Sequence, residues 1–232
     1  MALQIIFEDN HIIAVNKPAG VLVQGDETGD TPLLDLMKDY VKVKYNKPGD
    51  VFLGVVHRID RPVSGAVIFA RTSKALERMN KIFAEREVKK TYWAIVRERP
   101  NPEFGTLTNY LSKDADKNIT KVLSGPSNRH PDAKIATLDY FLKGSLNGSH
   151  ALEINPQTGR SHQIRAQLAH IGSPIRGDVK YGYPRANEDG SIDLHCYSMK
   201  FIHPVQNIEV EISAMPLNNN TWRPFVPLLL QH

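Results

Sequence analysis

The sequence contains a single cysteine, Cys196, among its 232 residues. One cysteine excludes an intramolecular disulfide and any metal site built from several thiolates, and it is typical of a reducing compartment. Long apolar runs are also missing, since Pro224 to Leu230 is far too short to span a bilayer. The N-terminal segment becomes acidic at Glu8 and Asp9, too early for a secretory signal peptide. We therefore expect a cytoplasmic protein that does not enter a membrane.

The motifs of several enzyme classes are absent as well. The chain has no Gly-rich phosphate loop, no dinucleotide fingerprint and no Gly-x-Ser-x-Gly nucleophile turn. Its nine histidines show no HxH, HExxH or Cys/His ligand spacing. A metal centre that combines His57 and Asp60 with His162, His170, Asp178, His195 or His203 therefore has little support, and we expect no metal.

The overall composition is that of an ordinary, slightly basic globular protein. Lysine and arginine outnumber aspartate and glutamate by 29 to 25, which gives a net charge of +4. Such a charge permits nucleic-acid binding without requiring it. Hydrophobic residues make up 41% of the chain, enough for one substantial core or two small lobes that share a sheet.

Hydrophobic periodicity predicts more strands than helices. Strands are expected at residues 3–7, 11–15, 51–56, 66–70, 91–96, 135–142, 151–154, 195–202 and 208–212. Helices are expected after Thr31 as N-cap, from Thr72 or Ser73, and from Ser161 to Ile171. The polar stretch 112–134 indicates a long hairpin or a flexible excursion. Because long strands and helices do not alternate, we predict an α+β fold with a large mixed or mostly antiparallel sheet.

The segment from Val56 to Gly65 places one carboxylate, Asp60, between Arg58 and Arg61. Neighbouring positive charge keeps a carboxylate ionised, and an ionised, positioned carboxylate can act as a nucleophile or a base. The arginines can hold phosphate. An aspartate before proline and glycine also commonly just shapes a turn, and the residues alone divide these two interpretations about evenly.

The helix expected after Gly159 carries two further polar candidates. His162 and Arg165 fall on one stripe near its N-terminus, an end that favours anions, while Ile164 and Leu168 face the core. A solvated basic face is the more common meaning of such spacing. Similarly, an aromatic residue in a strand is most often part of the core, so the pattern alone favours a core role for Tyr92 in the expected strand 91–96.

Taken together, these segments resemble the RluA family of pseudouridine synthases, with a match from about residue 5 to about residue 213. The segments that carry the resemblance are, in chain order, Ile12–Val21, His57–Gly65, Lys89–Ala94, Gly159–Arg165, Gly177–Gly182, Leu194–His195 and Phe201–Pro204. Ile59 and Val63 stand where the family usually has Leu and Thr, which are mild departures.

The resemblance implies one catalytic domain over residues 1–232, with a central RNA-binding cleft. It also implies isomerisation of uridine to pseudouridine in RNA, without metal or cofactor. The separate N-terminal RNA-binding domain of many relatives is expected to be missing here. The implied partner is a structured ribosomal or transfer RNA, and we expect a monomer.

The resemblance also assigns roles to individual residues. Asp60 corresponds to the essential carboxylate, as nucleophile or base, Arg165 to its ion-pair partner, and Tyr92 to the tyrosine that stacks on the uracil. Arg58 corresponds to a side chain that enters the space left by a flipped base. The further candidates for RNA contact are Arg61, Lys90, Arg160 and His162.

Two other functions are compatible with parts of the pattern. The first is a non-catalytic RNA-binding or assembly module of the same fold, which would not need Asp60, Tyr92 and Arg165 together. The second is a metal-dependent nuclease or phosphoesterase that uses Asp60 and histidines. Product formation from a uridine-containing transcript distinguishes the first from a synthase, and activity in the presence of a strong chelator excludes the second.

Overall fold

The computed structural model describes residues 3–217 and 220–231. Its strands are β1 (Gln4–Glu8), β2 (Ile12–Lys17), β3 (Gly54–Val55), β4 (Ser64–Ala70), β5 (Lys89–Val96), β6 (Phe104–Asp114), β7 (Ile119–Leu123), β8 (Lys134–Leu146), β9 (Ser149–Pro156), β10 (Leu194–Ile202) and β11 (Glu209–Ser213). Its α-helices are α1 (Leu33–Lys44), α2 (Ser73–Ala84), α3 (Gln163–His170) and α4 (Val226–Leu229). The strand-rich α+β class predicted from the sequence is confirmed.

The chain divides into two compact units. Unit 1 contains the residues up to Lys90 together with Cys196–Pro216, and unit 2 contains Thr91–His195 together with the residues from Leu217 onward. This division does not test the prediction of one catalytic domain over residues 1–232, which stays a prediction. No helix in the described ranges combines the length and the apolarity needed to cross a bilayer.

In unit 1 the strand order is β1-β2-β4-β10, with β3 beside β4 and β11 beside β10. β2 and β4 pair antiparallel from Ile12↔Ala70 to Lys17↔Gly65. Both strands are almost wholly buried, because apolar residues occupy consecutive positions and both faces of the sheet are covered. This central pair places the start of β4, into which the Asp60 loop leads, beside the end of β2.

The helices of unit 1 begin in different ways. Thr72 caps α2, since its hydroxyl accepts a hydrogen bond from the Ala75 N–H at 3.1 Å. The sequence-based prediction that Thr31 caps α1 is wrong, because the N-cap is Pro32 and α1 begins at Leu33 without a side-chain cap. The Leu33 and Leu34 N–H groups instead donate to the carbonyls of Leu22 and Val23. Tertiary backbone contacts thus replace the expected hydroxyl.

Unit 2 is an antiparallel arrangement in the order β5-β9-β8-β6-β7. The stretch 112–134 is the hairpin of β6 and β7 followed by a turn, so the hairpin alternative is correct. The strand expected over 51–56 is too long, since only Gly54 and Val55 pair with β4. α3 is shorter than the predicted helix 161–171.

Candidate functional site

The loop that carries Asp60 follows β3 and leads into β4 in unit 1. It makes a turn in which the Val63 N–H donates to the Asp60 carbonyl at 3.0 Å. The Gly20 N–H donates to the Arg61 carbonyl at 2.8 Å, which ties this loop to the turn after β2. Asp60 therefore shapes a turn and also presents a half-buried carboxylate.

A buried lysine holds the two turns together. Lys17 at the end of β2 is 0% exposed, and its Nζ donates to the carbonyls of Pro18 at 3.0 Å, Val21 at 2.8 Å and Arg61 at 3.2 Å. Burial lowers the pKa of Lys17 to about 7, against the opposing influence of the Asp60 charge and with that of Arg61. An ammonium group has three N–H donors, so these three carbonyls use its full capacity.

The two arginines that flank Asp60 differ in their surroundings. Arg58 is exposed, and within residues 3–217 and 220–231 it has no hydrogen bond or ion pair. Arg61 is engaged, since its Nε donates to the Gly20 carbonyl at 2.9 Å and its Nη2 pairs with Asp30 at 2.6 Å. Its side chain is still 45% exposed, so the Asp30 pair is open to competition by phosphate.

His57, in the same loop, and Lys90, in β5, influence each other electrostatically. The His57 Nε2 accepts a hydrogen bond from the Ile68 N–H at 3.1 Å, and its ring stacks on Phe83 at 5.0 Å between centroids. Loss of hydration lowers the pKa of His57 to about 3, helped by the Lys90 charge. Burial also lowers the pKa of the half-buried Lys90, with Cys196 acting in the opposite direction. His57 is thus a neutral structural acceptor.

In unit 2, Tyr92 lies in β5 opposite Ile154 of β9. Its side chain is half-buried, whereas its neighbour Trp93 is 1% exposed. The general expectation of a core aromatic therefore fits Trp93 and not Tyr92. Alternation along a strand explains the difference, because successive side chains point to opposite faces.

Arg165 on α3 forms the most fully buried ion pair of the candidate residues. It is 5% exposed, and its Nε and Nη2 donate to the two oxygens of Asp178 at 2.7 and 2.9 Å. Asp178 is 1% exposed. The alternative that α3 presents a solvated basic face is wrong, because Gln163 to Leu168 are all buried.

Tyr181, in the short 3-10 turn Val179–Tyr181, connects Arg165 to its surroundings. The Arg165 guanidinium lies over the Tyr181 ring at 5.0 Å from the centroid. The Tyr181 hydroxyl accepts from the Thr120 N–H at 2.8 Å and is 2.8 Å from His162 Nδ1. His162 is not part of the helical stripe that the sequence predicted, since it is the N-cap residue with a φ of +50°.

The segment before α3 is held by Gln163. Its Oε1 accepts from the Arg160 N–H at 3.0 Å and from the Thr158 hydroxyl at 2.8 Å, while its Nε2 donates to the Thr137 carbonyl at 3.1 Å. The Arg160 guanidinium donates to the Ile135 carbonyl at 3.2 Å. These contacts fix the main chain from which His162 and Arg165 project.

The structure thus groups the candidates within each unit. Asp60 and Arg61 share the Lys17-bound loop of unit 1, and His162 and Arg165 share the Tyr181 contact of unit 2. The Asp60–Arg165 pair stays a prediction. In the parts of the chain that the structure describes, no three His, Cys, Asp or Glu side chains cluster as a metal would require.

Lys17 and Tyr181 were given no role from the sequence, and Asp178 was considered only as a ligand of the unsupported metal centre. Lys17 ends a strand of buried residues, where an ionisable side chain is unusual and could have signalled a special role. Asp178 and Tyr181 lie within the segment Gly177–Gly182, which carries part of the resemblance. No local pattern there indicates that Arg165 is their partner, since the residues are 13 and 16 positions away.

The comparisons with known proteins all find pseudouridine synthases. The family model described as RNA pseudouridylate synthase matches residues 11–170. A "tRNA pseudouridine synthase C" from Vibrio parahaemolyticus is 31% identical over 95% of this chain and 92% of its own length. A "Ribosomal large subunit pseudouridine synthase C" from Vibrio cholerae is 29% identical over 90% of this chain, which spans only 64% of that relative.

Solved structures share the fold. "Human RNA Pseudouridylate Synthase Domain Containing 4" superposes with a TM-score of 0.76 and 22% identity, covering 92% of this chain and 89% of that one. "Human RNA Pseudouridylate Synthase Domain Containing 1" gives a TM-score of 0.73 at 23% identity over 98% of this chain and 86% of that one.

Proposed function

The chain belongs to the RNA pseudouridylate synthase family, and we propose that it isomerises a specific uridine in ribosomal or transfer RNA to pseudouridine, with Asp60 as the essential carboxylate. The observation that carries the proposal is the family match over 11–170, which includes Asp60, Tyr92 and Arg165. The relatives named for transfer RNA and for the large ribosomal subunit supply the two substrate classes.

The reaction breaks the N1–C1′ bond of uridine and forms a C5–C1′ bond, and the proton lost from C5 is balanced by one gained at N1. A stacked base does not expose these atoms, so the target nucleotide is flipped out of its helix. Arg58, exposed and without a partner among the described residues, is the side chain suited to enter the vacated space. A guanidinium can stack on bases and bind phosphate at once.

As a nucleophile, Asp60 attacks the ribose at C1′ while N1 leaves, and it is displaced when C5 bonds to C1′. As a base, it removes a proton from C2′ while N1 leaves and returns that proton to C2′ when the C5–C1′ bond forms. Both roles need a carboxylate that is held in a fixed position at the ribose. Arg165 pairs with Asp60 in this proposal and fixes its orientation. Tyr92 stacks on the detached uracil while it rotates and accepts the C5 proton late in the reaction. Lys90, Arg160, Arg61 and His162 contact the RNA backbone.

The test is Asp60→Asn, assayed by release of tritium from RNA that carries [5-³H]uridine. We expect no measurable turnover and unchanged RNA affinity, because asparagine keeps the shape of the side chain but loses the negative charge. Asp50→Asn removes an exposed carboxylate ten residues upstream and serves as the matched control. Appreciable pseudouridine formation by Asp60→Asn would exclude Asp60 as the essential group, and a wild-type protein that binds RNA without product would support the non-catalytic module.

A further inference from the structure

The Arg165 guanidinium is restrained in two directions. Asp178 holds the edge formed by Nε and Nη2, with hydrogen bonds of 2.7 and 2.9 Å, and the guanidinium carbon lies over the Tyr181 ring at 5.0 Å from its centroid. A bidentate pair fixes the plane of a guanidinium, and a cation–π contact adds a second attraction that limits its movement. Five N–H groups are present on a guanidinium, so the Asp178 pair leaves it able to bind a second carboxylate.

Tyr181 is itself fixed by two other elements. Its hydroxyl receives the Thr120 N–H from β7 and meets His162 Nδ1 at the start of α3. Burial raises the pKa of Tyr181, so the phenol keeps its proton at neutral pH. Because the Thr120 N–H is a donor, the phenol proton is best satisfied by His162 Nδ1.

A second link joins the same two elements. The Thr120 hydroxyl donates to the Ser161 carbonyl at 2.8 Å, directly before His162. His162 has a φ of +50°, a region that residues other than glycine rarely adopt. Local strain of this kind persists only where the surroundings impose it, and here it brings the imidazole to Tyr181.

We propose that Asp178 and Tyr181 are positioning residues for Arg165, which hold its guanidinium through the bidentate ion pair and the cation–π contact so that its orientation is set before RNA binds. This inference rests on the proposed function, because it gives Arg165 a catalytic partner to orient. Neither residue needs to touch the substrate. Their loss is expected to lower kcat while leaving KM for RNA largely unchanged.

Asp178→Asn is the direct test, because it keeps the volume of the side chain but removes the charge and one of the two acceptors. We expect kcat to fall about 100-fold, as for a misplaced catalytic group, with KM within about threefold of wild type. Tyr181→Phe keeps the ring beneath Arg165 and loses only the hydroxyl, so a smaller fall of about tenfold is expected. Asp178→Glu restores the charge and is expected to recover part of the lost rate.

Asp193→Asn is the matched control. Asp193 is also buried in unit 2 and also pairs with an arginine, but the side-chain partners found for it among the described residues are Arg176 and Asn187 and not Arg165 or Tyr181. Its substitution is expected to lower the melting temperature about as much as Asp178→Asn does, while kcat stays within about twofold of wild type. Equal kcat losses in the two variants would overturn the inference, because they would follow from stability alone.

A second readout does not depend on catalysis. The Arg165 Nε–H is expected to give a slowly exchanging resonance in the ¹⁵N spectrum of the wild-type protein, and to exchange faster in Tyr181→Phe and Asp178→Asn. If wild-type protein forms no pseudouridine, the proposed function fails while this spectrum still tests the restraint. Should Asp178→Asn not fold, Tyr181→Phe carries the same test, and an unchanged kcat and Nε–H exchange rate there would overturn the proposal.

Discussion

Removal of the Lys17 ammonium is expected to change how the stability of the protein depends on pH. The pKa of this buried lysine falls from its ordinary value of 10.5 to about 7 on folding. Between these two values the unfolded chain binds more protons than the folded one, so the free energy of unfolding rises with pH. The slope approaches about 1.4 kcal/mol per pH unit, and the whole interval corresponds to about 5 kcal/mol.

Lys17→Met abolishes this proton uptake and also removes a donor from three carbonyl oxygens, of which the Arg61 oxygen keeps the Gly20 N–H. At pH 7 the lost hydrogen bonds, about 1–3 kcal/mol for each unsatisfied carbonyl, oppose the relief of burying a charge. The free energy of unfolding at a single pH is therefore a poor measure of the effect of Lys17→Met. The slope of that free energy against pH is the useful measure. We expect the variant to lose the rise between pH 7.5 and 9.5 that the wild-type protein shows in urea unfolding.

Lys38→Met is the control for the loss of one positive charge, since the Lys38 side chain on α1 is 39% exposed and pairs with Asp35 across one turn. Asp60→Asn gives a test with Lys17 intact. The Asp60 charge raises the pKa of Lys17, so its removal is expected to lower that pKa and to extend the rise to lower pH. Parallel pH slopes for wild type and Lys17→Met would refute the reasoning.

Two smaller predictions concern the fold around the loop and its helices. Thr72→Ala is expected to lower the free energy of unfolding by about 1 kcal/mol, because it removes a cap. Thr31→Ala removes no cap and should leave the chemical denaturation curve unchanged. Equal losses of unfolding free energy in the two variants would contradict this prediction. Gly65→Ala is expected to give no soluble protein, since its Cβ would lie 2.5 Å from the Cys196 backbone nitrogen at a φ of +121°. Gly148→Ala, with a φ of +70° and open space, should cost only about 1 kcal/mol, and a soluble Gly65→Ala protein would contradict the steric argument.

Much of the secondary structure follows from local pattern. The stripe Leu76, Met79, Ile82 and Phe83 and the hydroxyl of Thr72 define α2, and the apolar runs of β2 and β4 define buried strands. The predicted helix start at Thr31 is wrong because the first N–H groups of α1 donate to the carbonyls of Leu22 and Val23 and not to a side-chain cap. Rules that consider only neighbouring residues do not include such partners. The strand predicted over residues 51–56 is too long because its pairing with β4 covers only two residues. Local propensity describes what a segment can form, and tertiary partners decide where it ends.

The candidate site likewise has features that the sequence indicates and features that only the folded chain reveals. The segments around Asp60, Tyr92 and Arg165, in their order along the chain, carry the resemblance to RNA pseudouridine synthases, whereas the three residue types alone do not indicate that function. The burial of Arg165, its bidentate pair with Asp178, the left-handed His162 and the neutral Tyr181 are visible only once the chain is folded. A solvated face and a buried ion pair have the same helical spacing, so periodicity does not distinguish them.

The amino-acid sequence by itself determined the chemistry available to this protein: a carboxylate among arginines, an aromatic strand and a short basic helix, with one cysteine. Only the tertiary structure decided which of those charges are hydrated and which are paired. Lys17 and Arg165 are both cations in the sequence, yet folding surrounds one with three carbonyl oxygens and the other with a buried carboxylate. The reason is physical, since the cost of burying a charge depends on partners that come from other parts of the chain.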